Sequence, residues 1–153
     1  MKEKIIEIAK LYEIYKLYVE KEIPIKKLKV AKESFSIPHN EEVIVLYDNT
    51  VFGSCKAGLA ITESGIYWKN DWFAKSKRNS LSWLELSICN IQIKDKDYIN
   101  FDVESFLYAV RDSEKVMSML QNMCKIALNQ EINFIDSNKI NNMGSIQDFR
   151  QNR

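Results

Sequence analysis

The chain has 153 residues, 46% of them hydrophobic and 28% charged, with 22 Lys plus Arg against 21 Asp plus Glu. That is the size of a single domain, large enough to bury a core without metals or disulfides. A net charge of +1 argues against a dedicated nucleic-acid binder, which carries a marked basic excess, and no apolar run reaches the roughly 18–20 residues of a membrane-spanning helix.

At the N-terminus, Met1 to Lys10 alternates Lys and Glu with Ile. It lacks the apolar block of a secretory signal, so the expected compartment is the cytoplasm. Ile8, Leu11, Tyr12, Tyr15, Tyr18 and Val19 then recur at helical spacing and predict an amphipathic helix over 5–19. Ile23-Pro24 breaks this pattern. Pro24 suits the first turn of a second helix, carried by Ile25, Leu28, Ala31 and Phe35 and stopped by Pro38. These two helices form the expected N-terminal segment, 1–38.

After His39 the period changes to that of strands. Val43 to Tyr47, Leu59 to Thr62 and Ile66 to Lys69 are predicted strands, the last two joined by a tight Glu63-Ser64-Gly65 turn. Leu81 to Leu84, Ile88 to Ile93, Tyr98 to Val103 and Phe106 to Val110 follow at hairpin spacing. Seven short strands at this spacing predict a sandwich or small barrel. Asp112-Ser113 offers an N-cap to a helix of about four turns, on which Val116, Leu120, Met123, Cys124 and Ala127 share a face. The expected domain is 39–128, and 129–153 reads as an Asn-rich tail, frayed or dependent on a partner.

The segments Tyr47-Asp48-Asn49-Thr50-Val51-Phe52-Gly53-Ser54, Lys56 to Thr62 and Gly65 to Asn70 resemble bacterial pleckstrin-homology-like domains of the YokE-like and GRAM-like groups. The similarity covers about 25–128, and its specific part is 47–70. It implies an α+β fold: a PH-like barrel of about seven antiparallel strands closed by a C-terminal helix, preceded by two short helices. It marks Asp48, Thr50, Phe52, Gly53, Gly58, Thr62, Gly65 and Tyr67 as motif residues. Read from the residues alone, most of these form the fold: Asp48 and Thr50 fix a turn, and the glycines stand at strand ends. Eukaryotic PH domains that bind phosphoinositides cluster Lys and Arg around the first hairpin loop. Here that loop offers Lys56 against Asp48, which argues against head-group recognition there.

The basic aromatic stretch lies later, between the third and fourth strands: Trp72, Phe73, Lys75, Lys77 and Arg78. Aromatics beside cations suit a partner groove or an anionic membrane surface, whereas folding back onto the barrel is the structural alternative. Cys55, Cys89 and Cys124 are odd in number and form no C-x-x-C pair, so neither a disulfide framework nor a zinc site is expected. Cys55 beside Lys56 is a conceivable nucleophile, but the single histidine, His39, lies in a distant linker. No Walker sequence, metal cluster or cofactor motif is present. The expected function is therefore a non-catalytic binding module, acting on a protein partner or on a second copy through a sheet edge, the Trp72–Arg78 loop or the N-terminal helix. Docking on a membrane is the alternative and a cysteine-dependent enzyme the third reading.

Overall fold

The computed structural model describes residues 1–102, 104–109 and 111–151, with side chains up to residue 143. The strand ends predicted at Val103 and Val110 lie outside the described residues. Helix α1 spans Lys2–Ala9 and buries Ile5, Ile6, Ile8 and Ala9. It stops well short of the predicted Val19. The chain turns at Lys16, where φ is +58°, and enters strand β1, Leu17–Val19, paired antiparallel to β2, Val45–Asp48. Leu11 and Tyr15, predicted for the buried helix face, are exposed. Helix α2, Ile25–Ser34, follows as expected; the Pro24 carbonyl accepts its first helical bond from Leu28.

Strands β3, Gly58–Ile61, and β4, Gly65–Lys69, form the predicted hairpin, and β5, Ser80–Ser82, completes a five-stranded antiparallel sheet in the order β1-β2-β3-β4-β5. Its central strands are covered on both faces. Val45, Tyr47, Leu59, Ile61, Ile66 and Trp68 point into the main core, while Leu46 and Ala60 pack with Ala31, Phe35 and Ile37 around α2. Two-sided burial explains the continuous apolar runs that carried the strand assignment.

The predicted strand over Leu81–Leu84 is only half strand. Ser82 caps a short helix α3, Trp83–Ile88: its hydroxyl accepts from the Glu85 amide and the Glu85 carboxylate accepts from the Ser82 amide. The predicted Ile88–Ile93 strand therefore begins later, as β6, Gln92–Lys94, in a three-stranded sheet with β7, Tyr98–Asn100, and β8, Phe106–Tyr108. Eight described strands thus form two antiparallel sheets instead of seven in one closed barrel.

The seam between the sheets is made by side chains. Along β8 the amides and carbonyls of Phe106 and Tyr108 point away from β7. Phe106 O accepts from Trp68 Nε1 and Asn70 Nδ2, both at 2.9 Å, and Phe106 N donates to Ser76 Oγ at 3.1 Å. Tyr108 N donates to Asn70 Oδ1 at 2.8 Å and Tyr108 O accepts from Asn49 Nδ2 at 2.6 Å. All four backbone groups of this edge are satisfied without a neighbouring strand.

Helix α4, Ser113–Gln151, closes the core through Val116, Met119, Leu120, Met123 and Ala127 and packs against α1 and α3. It does not end near Leu128. Asn, Ser and Asp lower helix propensity only slightly, and no proline interrupts 129–151, so the helix continues past the body with residues 129–143 exposed. Among the described residues, no helix is long and apolar enough to cross a membrane.

Candidate functional site at the loop end of the five-stranded sheet

Antiparallel order puts two long connections at one end of the five-stranded sheet. The β2–β3 link, 49–57, leaves opposite Gly58, and the β4–β5 link, 70–79, leaves from Lys69, the register partner of Gly58. Both are tied to Tyr108 by the asparagine at their root, Asn49 and Asn70.

The first link is held rigidly below its tip. Asp48 is buried, and its carboxylate accepts from the Thr50 amide at 3.0 Å, the Thr50 hydroxyl at 2.5 Å and the Lys27 ammonium at 2.5 Å. Burial alone would raise its pKa, but the Lys27 and Thr50 hydrogen bonds prevail and hold the carboxyl below its ordinary value. Burial would likewise lower the Lys27 pKa, yet the bond to Asp48 and its charge raise it. Lys16 Nζ reaches across from the start of β1 to Thr50 O at 2.6 Å. Gly58 allows the chain to leave β2 closely: a Cβ there would lie 1.9 Å from Tyr47 O. What remains at the tip is apolar and solvent-facing, with Val51 86% and Phe52 98% exposed.

The second link presents Trp72, 86% exposed, and Phe73, 54% exposed, while Ala74 between them and the lysines is buried. Phe73 stands edge-on to Tyr108 at 5.3 Å and Trp72 edge-on to Phe73 at 5.9 Å; Tyr98 continues the row against Tyr108 at 5.0 Å. So Phe73 leans onto the second sheet and Trp72 projects. Lys77 pairs with Glu104 and Arg78 with Glu85. Lys56, Lys69 and Lys75 are exposed and have no ion pair among the described residues.

Of the other motif residues, Thr62 and Gly65 build the opposite end. Thr62 is buried, its hydroxyl bonded to the Ser64 amide and the Gly65 carbonyl, and a Cβ on Gly65 would lie 2.1 Å from Leu81 O. Tyr67 packs, half-buried, against the α2 cluster, and Gly53 takes a φ of +74° above Lys27. Trp68 in β4 and Trp83 at the start of α3 are core residues.

Sequence reasoning brought Trp72 and its lysines to notice. It missed the tip Val51-Phe52, where Phe52 was read as a fold-forming motif residue, and the supporting Lys16, Lys27, Asn49 and Asn70. The signal available was two apolar residues held between turn formers, Thr50 and Gly53. The N-terminal helix, expected as a contact surface, is spent on the core. Cys55 is fully buried, and burial, followed by the Asp48 charge, pushes its thiol up to about 12, which leaves it protonated near neutral pH. His39 is exposed in its linker. Among the described residues no group of three His, Cys, Asp or Glu side chains is placed to hold a metal ion. No family model, curated protein or solved structure matches this chain.

Proposed function

We propose that the protein is a non-catalytic binding module of PH-like architecture that docks end-on against an anionic membrane surface. Support for the architecture comes from the two meanders, β2 to β5 and β6 to β8, followed by a helix that closes the core; β1 is then an added edge strand. The single observation that carries the function is the coincidence, at one end of the sheet, of apolar tips on two loops with lysines that lack carboxylate partners. Val51, Phe52 and Trp72 are clear of the body, so inserting them costs no core packing. Each buried apolar side chain contributes roughly 1.5–3 kcal/mol, and each lysine near an anionic leaflet about 1 kcal/mol. The sum suits a reversible peripheral contact and not a permanent anchor.

The test is co-sedimentation with vesicles of neutral lipid with and without about one third anionic lipid. Binding is expected only to the anionic vesicles, and to weaken in high salt. Because Trp68 and Trp83 are buried, a blue shift of tryptophan emission on binding reports Trp72. The double variant Phe52→Ser/Trp72→Ser should retain its fold and lose at least tenfold in affinity. Equal sedimentation of the variant and the parent, or no sedimentation of either, rejects the membrane reading.

A further inference from the structure

The outer half of α4 carries a stripe that the chain itself leaves uncovered. Leu128, Ile132, Ile135, Lys139 and Met143 follow at steps of four, three, four and four, so they share one face of the helix. Ile132, Ile135 and Met143 are 54%, 52% and 64% exposed. The residues by which α4 meets the core, such as Val116, Leu120, Met123 and Ala127, lie on a different side. Followed back toward Ser113, the stripe borders a groove of about 390 Å³ between Gln121 and Leu128 of α4 and Leu86, Cys89 and Ile91. Stripe and groove form one continuous strip along the helix.

Charge selects the occupant. Glu131 and Lys139 stand four residues on either side of Ile135, and neither has an ion pair among the described residues. In a parallel pair of these helices each would face its own copy, which is repulsive. Turned antiparallel about a two-fold axis at Ile135, Glu131 of each chain meets Lys139 of the other, twice, and Ile135 meets its own copy. In that register residue 149 of the second chain stands opposite Gln121, about 21 Å from the axis. Helix α4 extends to Gln151, so the second helix reaches the groove, and by symmetry both grooves are covered.

We propose that α4 is a homodimerisation helix, pairing antiparallel with α4 of a second copy about Ile135. The interface is isologous and closes at two chains. Lys139 in an otherwise apolar stripe weakens packing but fixes register and direction, the role a polar residue plays in a helix seam. The pairing does not use the loop end, so its test is independent of the vesicle experiment.

Light scattering of the 153-residue chain at about 100 μM should give twice its mass of 17.9 kDa. Lys139→Glu should weaken the dimer at least tenfold, and Glu131→Lys/Lys139→Glu, which restores both cross-pairs, should recover it. In a Cys89→Ser background, mild oxidation should link Ile135→Cys into a covalent dimer, while Ile140→Cys, off the stripe, stays unlinked. A 17.9 kDa mass at that concentration overturns the proposal. So does a folded charge-swap variant that remains monomeric, or preferential linkage at position 140.

Discussion

The two ends of the five-stranded sheet are built from the same local devices and differ in what holds them. At the hairpin end, Thr62, Ser64 and Gly65 bond to one another within four residues, Trp83 donates its amide to Ser64 O and its indole to Thr62 O, and Ser64 Oγ donates to Glu41. At the loop end, the Asp48–Thr50 turn is similar, but its carboxylate also meets Lys27 from α2, and the flanking asparagines reach Tyr108, 59 and 38 residues away. A three-residue turn exposes only the polar Glu63 and Ser64, whereas a nine-residue link braced at its root can hold Val51 and Phe52 in solvent. Both ends are tied to distant residues, so the length of the link, three residues against nine, separates the structural end from the presenting one.

The largest expected effect tests whether glycine is required equally at both ends. Gly58 and Gly65 sit at φ +151° and +154°, and a Cβ on either would lie 1.9–2.1 Å from a backbone carbonyl oxygen. Gly58→Ala and Gly65→Ala should each cost about 3 kcal/mol or more in urea unfolding, since the backbone must shift. At Gly53 the nearest atom to a Cβ is a side-chain end, Lys27 Nζ, at 3.2 Å, not a backbone atom. Gly53→Ala should therefore cost only about 1 kcal/mol, from its positive φ. Equal losses at the three positions would mean that the close approaches at Gly58 and Gly65 relax.

Next is the Lys27–Asp48 pair, whose Asp48 side chain is fully buried while Lys27 is 19% exposed. Asp48→Ala strands a lysine and a threonine hydroxyl, and should cost about 3 kcal/mol. Because the folded pKa of Asp48 is depressed, its contribution is present above the ordinary aspartate value near 3.9. It is lost as pH falls through the lower folded pKa. The parent should therefore lose stability in that acid window, and Asp48→Ala should lose less. Lys27, raised in the fold, contributes below the ordinary lysine value and loses that contribution as pH climbs through its folded pKa. Unfolding midpoints against pH for parent and variant check both limbs.

Whether an element's signal is local or distant explains what the sequence reveals. Glu63-Ser64-Gly65 between two apolar runs is a local signal, and the hairpin is found where it points. Ser113 and the Val116–Ala127 periodicity likewise mark the start of α4. Failures occur where partners are distant. Tyr12, Tyr15 and Tyr18 are spaced as in a helix, yet Tyr12 bonds Ser118 and Asn122 and Tyr18 lies in β1 against Leu46. Sheet pairing overrides that period, and no local pattern announces it. Helix α3 begins inside the predicted strand although Ser82-Trp83-Leu84-Glu85 spells a capping box, because Leu81 to Leu84 is short enough to read as a strand. For the candidate site, the aromatic–lysine loop is visible in composition, but the alignment of two loops at one sheet end is a property of topology.

The smallest expected effect isolates the seam that joins that end to the second sheet. Asn70 alone contributes two of the bonds along β8, accepting from Tyr108 N and donating to Phe106 O. Phe106 O keeps Trp68 as a donor, so Asn70→Ala leaves one backbone amide, that of Tyr108, without its partner. A cost of about 1–2 kcal/mol follows from one buried unsatisfied donor. Its signature is local: the Tyr108 amide should exchange with solvent faster, while the Leu107 amide, which faces β7, is sped only as far as the global loss of stability requires. Thr62→Val at the other end should shift only its neighbours Ser64 and Gly65. If Asn70→Ala instead accelerates exchange evenly through both sheets, the two ends are one cooperative unit and the division between them fails. If it alters neither, water satisfies Tyr108 N and the seam is held by the remaining bonds of Trp68, Ser76 and Asn49 with the aromatic row of Phe73, Tyr108 and Tyr98.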